Sequence, residues 1–163
     1  MSADRYHGAQ AGMKPNILFI VVDELRYPSV FPNGIHDVGG FLRRFMPATH
    51  RLLWQRGVKF AAHFTAGIAC SPARGTLVTG LYSQQSWLLA TILDSPSSKV
   101  SLQPVLSRVY PTYGKLLRRA GYETPYIGKW HLSIPHSRPS TRLKAYGFEG
   151  KTYPDPTGSN SLP

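Results

Sequence analysis

The sequence predicts an α/β fold, a mostly parallel central sheet flanked by helices, and three observations carry that prediction. Residues 15–23, PNILFIVVD, form a continuous apolar run of strand length rich in Ile and Val, the pattern of a strand buried on both faces. Beyond it, helical stretches that stop at a glycine alternate with short extended ones. The 163 residues, 42% hydrophobic and 17% charged, are enough to bury a core and too apolar for a disordered chain.

Residues 1–13 carry no pattern and read as a loose leader before the domain of residues 14–163. The first strand ends in an acid, Asp23, at its carboxyl end, the edge where ligands sit in open α/β sheets. PATHRLLWQRGVKF, residues 47–60, reads as a helix closed by Gly57, with Val58 to Phe60 opening an extended piece. In FTAGIACSPARGTLVTGLY, residues 64–82, Pro72 suits the first turn of a helix that Gly80 closes. The Ser/Pro-rich residues 93–111 read as a surface loop. A further helix is expected from Thr112 to Ala120, capped by Gly121, then a short strand reaching Tyr126 and Ile127 before Gly128. From Ser133 onward Pro, Gly, Ser and Thr dominate, and no further strand or helix of substance is expected. There is no internal repeat, and the sheet so assembled is thin.

Composition narrows the function classes. A single cysteine excludes an internal disulfide, and nothing suggests an oxidising compartment. The apolar run ILFIVV is too short to span a bilayer, and Asp23 and Glu24 follow it where a secretion signal needs small residues. A cytoplasmic location, away from membranes, is the default expectation. Nineteen Lys and Arg against eight Asp and Glu give +11, which would suit a polyanion. The basic residues are scattered, however, with Arg43-Arg44 and Arg118-Arg119 the densest pairs, and no nucleic-acid partner is expected.

The chemistry centres on Cys70. A residue at a helix start meets free backbone N–H groups and the positive end of the helix dipole, which favour anionic oxygens or a thiolate. Arg74 lies one helical turn on, on the same side. Against this stands the ordinary fate of a lone cysteine, a small buried hydrophobe. A phosphatase loop would need a longer gap between Cys and Arg than Ser71-Pro72-Ala73.

Cys70-x-Pro72-x-Arg74 followed by GTLVTG resembles the signature of the sulfatase family, within the alkaline-phosphatase-like superfamily. KPNILFIVVDELR resembles that family's first strand with its metal-binding acid, and AGYETPYIGKWHL its Gly-Lys-Trp-His motif. PATHRLLWQRGVKF matches the helix between the first strand and the nucleophile, and the four stretches stand in family order over residues 14–132. The resemblance implies that Cys70 is oxidised to formylglycine by a formylglycine-generating enzyme and that Arg74 holds the aldehyde hydrate. It implies that Lys129 contacts the sulfate oxygens of a small-molecule sulfate ester, and that His131 orients the nucleophile and helps release the alcohol. Asp23 would ligate a divalent cation, Ca²⁺ first, with Mg²⁺ or Mn²⁺ as alternatives. Glu24 is a candidate second ligand where many relatives carry aspartate and some branches glutamine, and the modified Cys70 completes the set.

One hydroxyl of the hydrate would attack sulfur and displace the alcohol, and the second would let the carbonyl reform as sulfate leaves. Relatives complete the metal site with an Asp followed by Asn or His further downstream. Asp155, before a proline, does not match that pattern. The expectation is an N-terminal part of a sulfatase catalytic domain, its C-terminal half absent, without turnover by itself. A phosphonate or phosphodiester hydrolase using the same formylglycine, and a non-catalytic basic module binding polyanions, are the alternatives. Trp54, Trp87 and Trp130 are expected to pack rather than bind, and Ser71 to be a spacer.

Overall fold

A computed structural model describes residues 14–92, 105–133 and 143–151. The chain divides into two compact units, residues 1–61 and 62–163.

In the first unit, helix α1 (Val38–Phe45) begins because Asp37, in extended conformation, accepts a hydrogen bond from the Gly40 N–H at 2.7 Å. Arg43 and Arg44 fall in its last turn, where cations complement the helix dipole. Pro47 opens α2 (Pro47–Thr49), which runs into a wider π-helical turn, His50–Trp54. The helix expected from residue 47 to its close at Gly57 is thus present through Trp54. Its expected extended continuation is not a strand, and Val58 and Phe60 are exposed.

The run 15–23 departs furthest from expectation. It belongs to no sheet, and Ile17 through Val22 are exposed, Leu18 by 85%. A central parallel strand takes its N–H and C=O partners from strands on both edges and its burial from helices on both faces. Among the described residues strand pairing occurs only between residues 125–127 and 149–151, so the apolar pattern has no sheet to enter. Trp87 is likewise 71% exposed, against the expectation that it packs.

The second unit holds α3 (Cys70–Thr79), α4 (Ser83–Ser86), α5 (Tyr113–Arg119) and strands β1 (Pro125–Ile127) and β2 (Glu149–Lys151). Gly80, at φ 73°, ends α3 in the left-handed conformation that a glycine adopts without penalty. The Thr112 side chain caps α5 by accepting from the Lys115 N–H at 3.1 Å. Its hydroxyl also donates to the Tyr146 carbonyl, tying α5 to the segment before β2. β1 and β2 are parallel, with Tyr126 opposite Gly150. β2 was not expected, because it is three residues long with a glycine at its centre. That glycine is required: at φ 128° a Cβ on Gly150 would collide with the Tyr126 carbonyl.

The core of this unit is Val78, Leu88, Ile92, Leu106, Trp130, Leu132, Leu143, Tyr146 and Phe148. Its aromatic part is a cluster in which Trp130 meets Tyr146 at 5.0 Å and Phe148 at 5.8 Å between ring centroids. Trp130 therefore packs, as expected. Tyr113 and Tyr126 join the cluster, and burial pushes both phenols above their ordinary value of 10.0. The neighbouring Tyr126 adds to the rise at Tyr113, while the Arg74 guanidinium partly restrains it at Tyr126. A folded pKa raised above the unfolded one gives stability that is complete below the unfolded value and lost as pH rises through the folded one. Thermal melts are accordingly expected to show a melting temperature that falls above about pH 10. Tyr113→Phe should flatten that slope. A wild-type slope retained in full in Tyr113→Phe would contradict the assignment.

Candidate active site

The N-terminus of α3 is built from Ala69, extended at φ −126°, with Cys70 as the first helical residue. Pro72 sits in the first turn, where its missing N–H would have had no intrahelical acceptor anyway. This is the helix start that the sequence predicted, with the thiol at its mouth. Cys70 is half-buried, and the Lys129 Nζ donates to its Sγ at 3.5 Å. Arg74, one turn further along α3, directs Nη1 to the Lys129 carbonyl at 2.7 Å. Cys70, Arg74 and Lys129 are therefore brought together from residues 59 and 55 positions apart in sequence.

Lys129 and His131 lie just beyond β1, on either side of the buried Trp130. Gly128, at φ 112°, turns the chain out of the strand, and His131 takes the left-handed conformation at φ 55°. His131 is buried, and its Nε2 lies 2.7 Å from the Ile92 carbonyl. A carbonyl only accepts, so Nε2 carries a proton, and in the neutral ring Nδ1 then bears the lone pair. Nδ1 is buried and makes no hydrogen bond to a described residue.

Ser71, expected to be a spacer, is more than that: it is fully buried, and its Oγ accepts from the Ile92 N–H at 3.1 Å. The Ile92 peptide groups thus hold both the residue after Cys70 and the His131 ring. No local signal could have revealed this, because the partner is backbone and lies 21 residues from one side chain and 39 from the other.

Asp23 and Glu24 belong to the first unit, and both are exposed. Their carboxylate oxygens approach within 4.8 Å, and Glu24 adopts a left-handed φ of 58°. Adjacent, accessible carboxylates offer the hard oxygen donors that Ca²⁺ and Mg²⁺ take, so the pair fits a divalent cation. Among the described residues three non-glycine residues have positive φ, and two of them, Glu24 and His131, are candidate site residues. Strained backbone of this kind gathers at functional positions.

The profile of the family described as Sulfatase matches residues 15–154, most of the chain. The chain belongs to the sulfatase family. It is 36% identical over 133 residues to the steryl-sulfatase of Rattus norvegicus, covering 77% of this chain and 21% of that relative. To the choline-sulfatase of Rhizobium meliloti it is 31% identical over 143 residues, covering 87% of this chain and 23% of the relative. To the N-acetylgalactosamine-6-O-sulfatase of Bacteroides thetaiotaomicron it is 30% identical over 127 residues, covering 77% and 22%. This sulfatase-family chain spans about a fifth of the length of these relatives. Its helices and parallel strand pair agree with the α/β fold of the family. No helix among the described residues is long and apolar enough to cross a membrane.

Proposed function

We propose that the protein is a sulfuric ester hydrolase that cleaves an organic sulfate monoester at Cys70. The observation that carries this reading is the Lys129 ammonium 3.5 Å from the Cys70 sulfur, with Arg74 fastened to the same lysine's carbonyl. A cation held at the mouth of a helix, over the only thiol of the chain, is an arrangement for an anionic group delivered to that side chain. Lys129 would bind the sulfate oxygens and stabilise the charge that builds on them. Arg74 would hold Lys129 in place and add its own positive field. His131, anchored through Nε2, would present Nδ1 as the nitrogen that takes or returns a proton near the departing alcohol.

Formylglycine made from Cys70 would supply a hydrated aldehyde, one hydroxyl for attack and a second through which sulfate is released. Asp23 and Glu24 would hold the divalent cation, Ca²⁺ first, which draws charge from the sulfate oxygens. The partner implied for maturation is a formylglycine-generating enzyme.

The test is the tryptic peptide FAAHFTAGIACSPAR, residues 60–74, from protein coexpressed with a formylglycine-generating enzyme. The expected result is conversion of the Cys70 CH₂–SH to an aldehyde, with the sulfur and two hydrogens lost and one oxygen gained as the maturation enzyme's molecular oxygen serves as oxidant, and with reactivity toward an aldehyde-specific hydrazide. An intact thiol, under conditions that convert a control peptide, would overturn the reading in favour of a basic polyanion-binding module. Matched aryl sulfate, phosphodiester and phosphonate esters, offered to a matured protein that carries this chain within a whole catalytic domain, then separate a sulfatase from a phosphoryl hydrolase with the same nucleophile. The sulfate ester is expected to react fastest.

A further inference from the structure

We propose that Tyr126 is a positioning residue that sets where Lys129 stands against Cys70. This rests on the reading above, in which Lys129 is the cation of the site. Lys129 lies between Gly128, at φ 112°, and the Trp130-His131 pair that ends in a φ of 55°, so no helix or strand ladder fixes its peptide plane. Two side chains do so instead. The Tyr126 hydroxyl donates to the Lys129 carbonyl at 2.6 Å, and Arg74 Nη1 donates to the same oxygen at 2.7 Å. A carbonyl has two lone pairs, and these two donors fill both. With the carbonyl direction held from both sides, the Lys129 main chain is restrained at the root of the side chain whose ammonium reaches Sγ.

Tyr126 is itself held firmly. It is the central residue of β1, and its ring stands edge-on to Trp130 at 5.4 Å and 88° and to Phe148 at 5.5 Å and 62°. The hydroxyl therefore transmits the position of the aromatic core to the Lys129 peptide. Removing it as Tyr126→Phe leaves the ring contacts in place and deletes the hydroxyl's bond to the Lys129 carbonyl together with its bond to the Arg74 guanidinium, the second donor to that carbonyl.

The test uses the unmodified 163-residue protein and two alkylating reagents, anionic iodoacetate and neutral iodoacetamide. Their rate ratio at Cys70 cancels the intrinsic reactivity of the thiol and reports the positive charge held beside it. Wild type is expected to favour iodoacetate relative to a free thiol in solution, and Lys129→Gln to lower the ratio about fivefold, the effect of one unit charge near 4 Å in water. Tyr126→Phe is expected to lower it by about half of that effect on the logarithmic scale, roughly twofold. Tyr110→Phe is the control, since its hydroxyl donates to the Gln85 carbonyl, away from Lys129. It should leave the ratio unchanged.

A second measurement guards against a folding defect. The Lys-Trp dipeptide occurs once in the sequence, so ¹³C-lysine with ¹⁵N-tryptophan labelling isolates the Lys129 carbonyl resonance. That resonance should shift upfield in Tyr126→Phe and stay in place in Tyr110→Phe. A ratio equal to wild type in Tyr126→Phe, with the Lys129→Gln loss intact, overturns the role of Tyr126 and spares the site. A wild type with no preference for iodoacetate overturns both, because Lys129 then does not face Cys70.

Discussion

Trp130→Ala is expected to destabilise the unit of residues 62–163 by about 3–5 kcal/mol, the usual cost of emptying a large aromatic site in a packed core. A domain of ordinary stability has only about 5–15 kcal/mol to lose, so the variant should melt early in urea. The expectation is large because Trp130 is 2% exposed and shares ring contacts with Tyr126, Tyr146 and Phe148 at once. Its indole N–H also donates to Ser133 Oγ at 3.1 Å, so alanine removes a hydrogen bond along with the packing. Trp130→Phe keeps part of the ring contacts and should cost less. Equilibrium urea unfolding followed by near-ultraviolet circular dichroism gives both values. A loss below about 1 kcal/mol for alanine, the range of an ordinary substitution, would show that the cluster is not the core of this unit. The same residue joins core to site, because its neighbours in sequence are Lys129 and His131. Under the proposed function, the two side chains that would face the sulfate ester are held by one that packs away from it.

What the sequence made legible was what depends on near neighbours. Gly80 and Gly121 mark helix ends because a left-handed residue there favours glycine, and both adopt positive φ. The strand ending at Ile127 and the helix opening at Cys70 follow from equally local rules, as does the placement of Arg74 one turn from the thiol. What stayed hidden depends on distant partners. β2 is Glu-Gly-Lys, without an apolar pattern, and it exists because the Thr124 carbonyl and the edge of β1 are there to receive it. Ser71 and Tyr126 carry no motif of their own, and their hydroxyls act on backbone groups that no side-chain pattern encodes. The run 15–23 failed in the opposite direction. Its pattern is that of a buried strand, but a strand is completed by its neighbours, and the described residues supply it none. The order of the motifs identified the family despite this, since motif spacing is read along the chain and needs no packing.

Lys129→Gln is expected to lower kcat/KM for an aryl sulfate about 10²–10³-fold in the matured protein that carries this chain. That loss corresponds to about 2.7–4 kcal/mol, the worth of one preorganised group aimed at developing charge. Glutamine keeps a hydrogen-bond donor of similar reach, so the loss isolates the charge rather than the contact. Lys129→Arg keeps the charge and should still fail to restore full activity. The site has one guanidinium already, and it is committed to the Lys129 carbonyl at 2.7 Å. A second, planar and bulkier group in place of a compact ammonium would recover substrate binding more than turnover. The expected signature is a KM near wild type for arginine with kcat still depressed, against losses in both for glutamine. Salt separates this from a surface effect: a screened surface charge would lose its influence within a few tenths molar, whereas Lys129 is part-buried against Cys70 and should be much less sensitive. If Lys129→Gln retained activity within about threefold of wild type, well short of the loss of a charge-stabilising group, Lys129 would not be the group that meets the sulfate. Arg74 would then be the cation of the site, with its bond to the lysine carbonyl the means of aiming it.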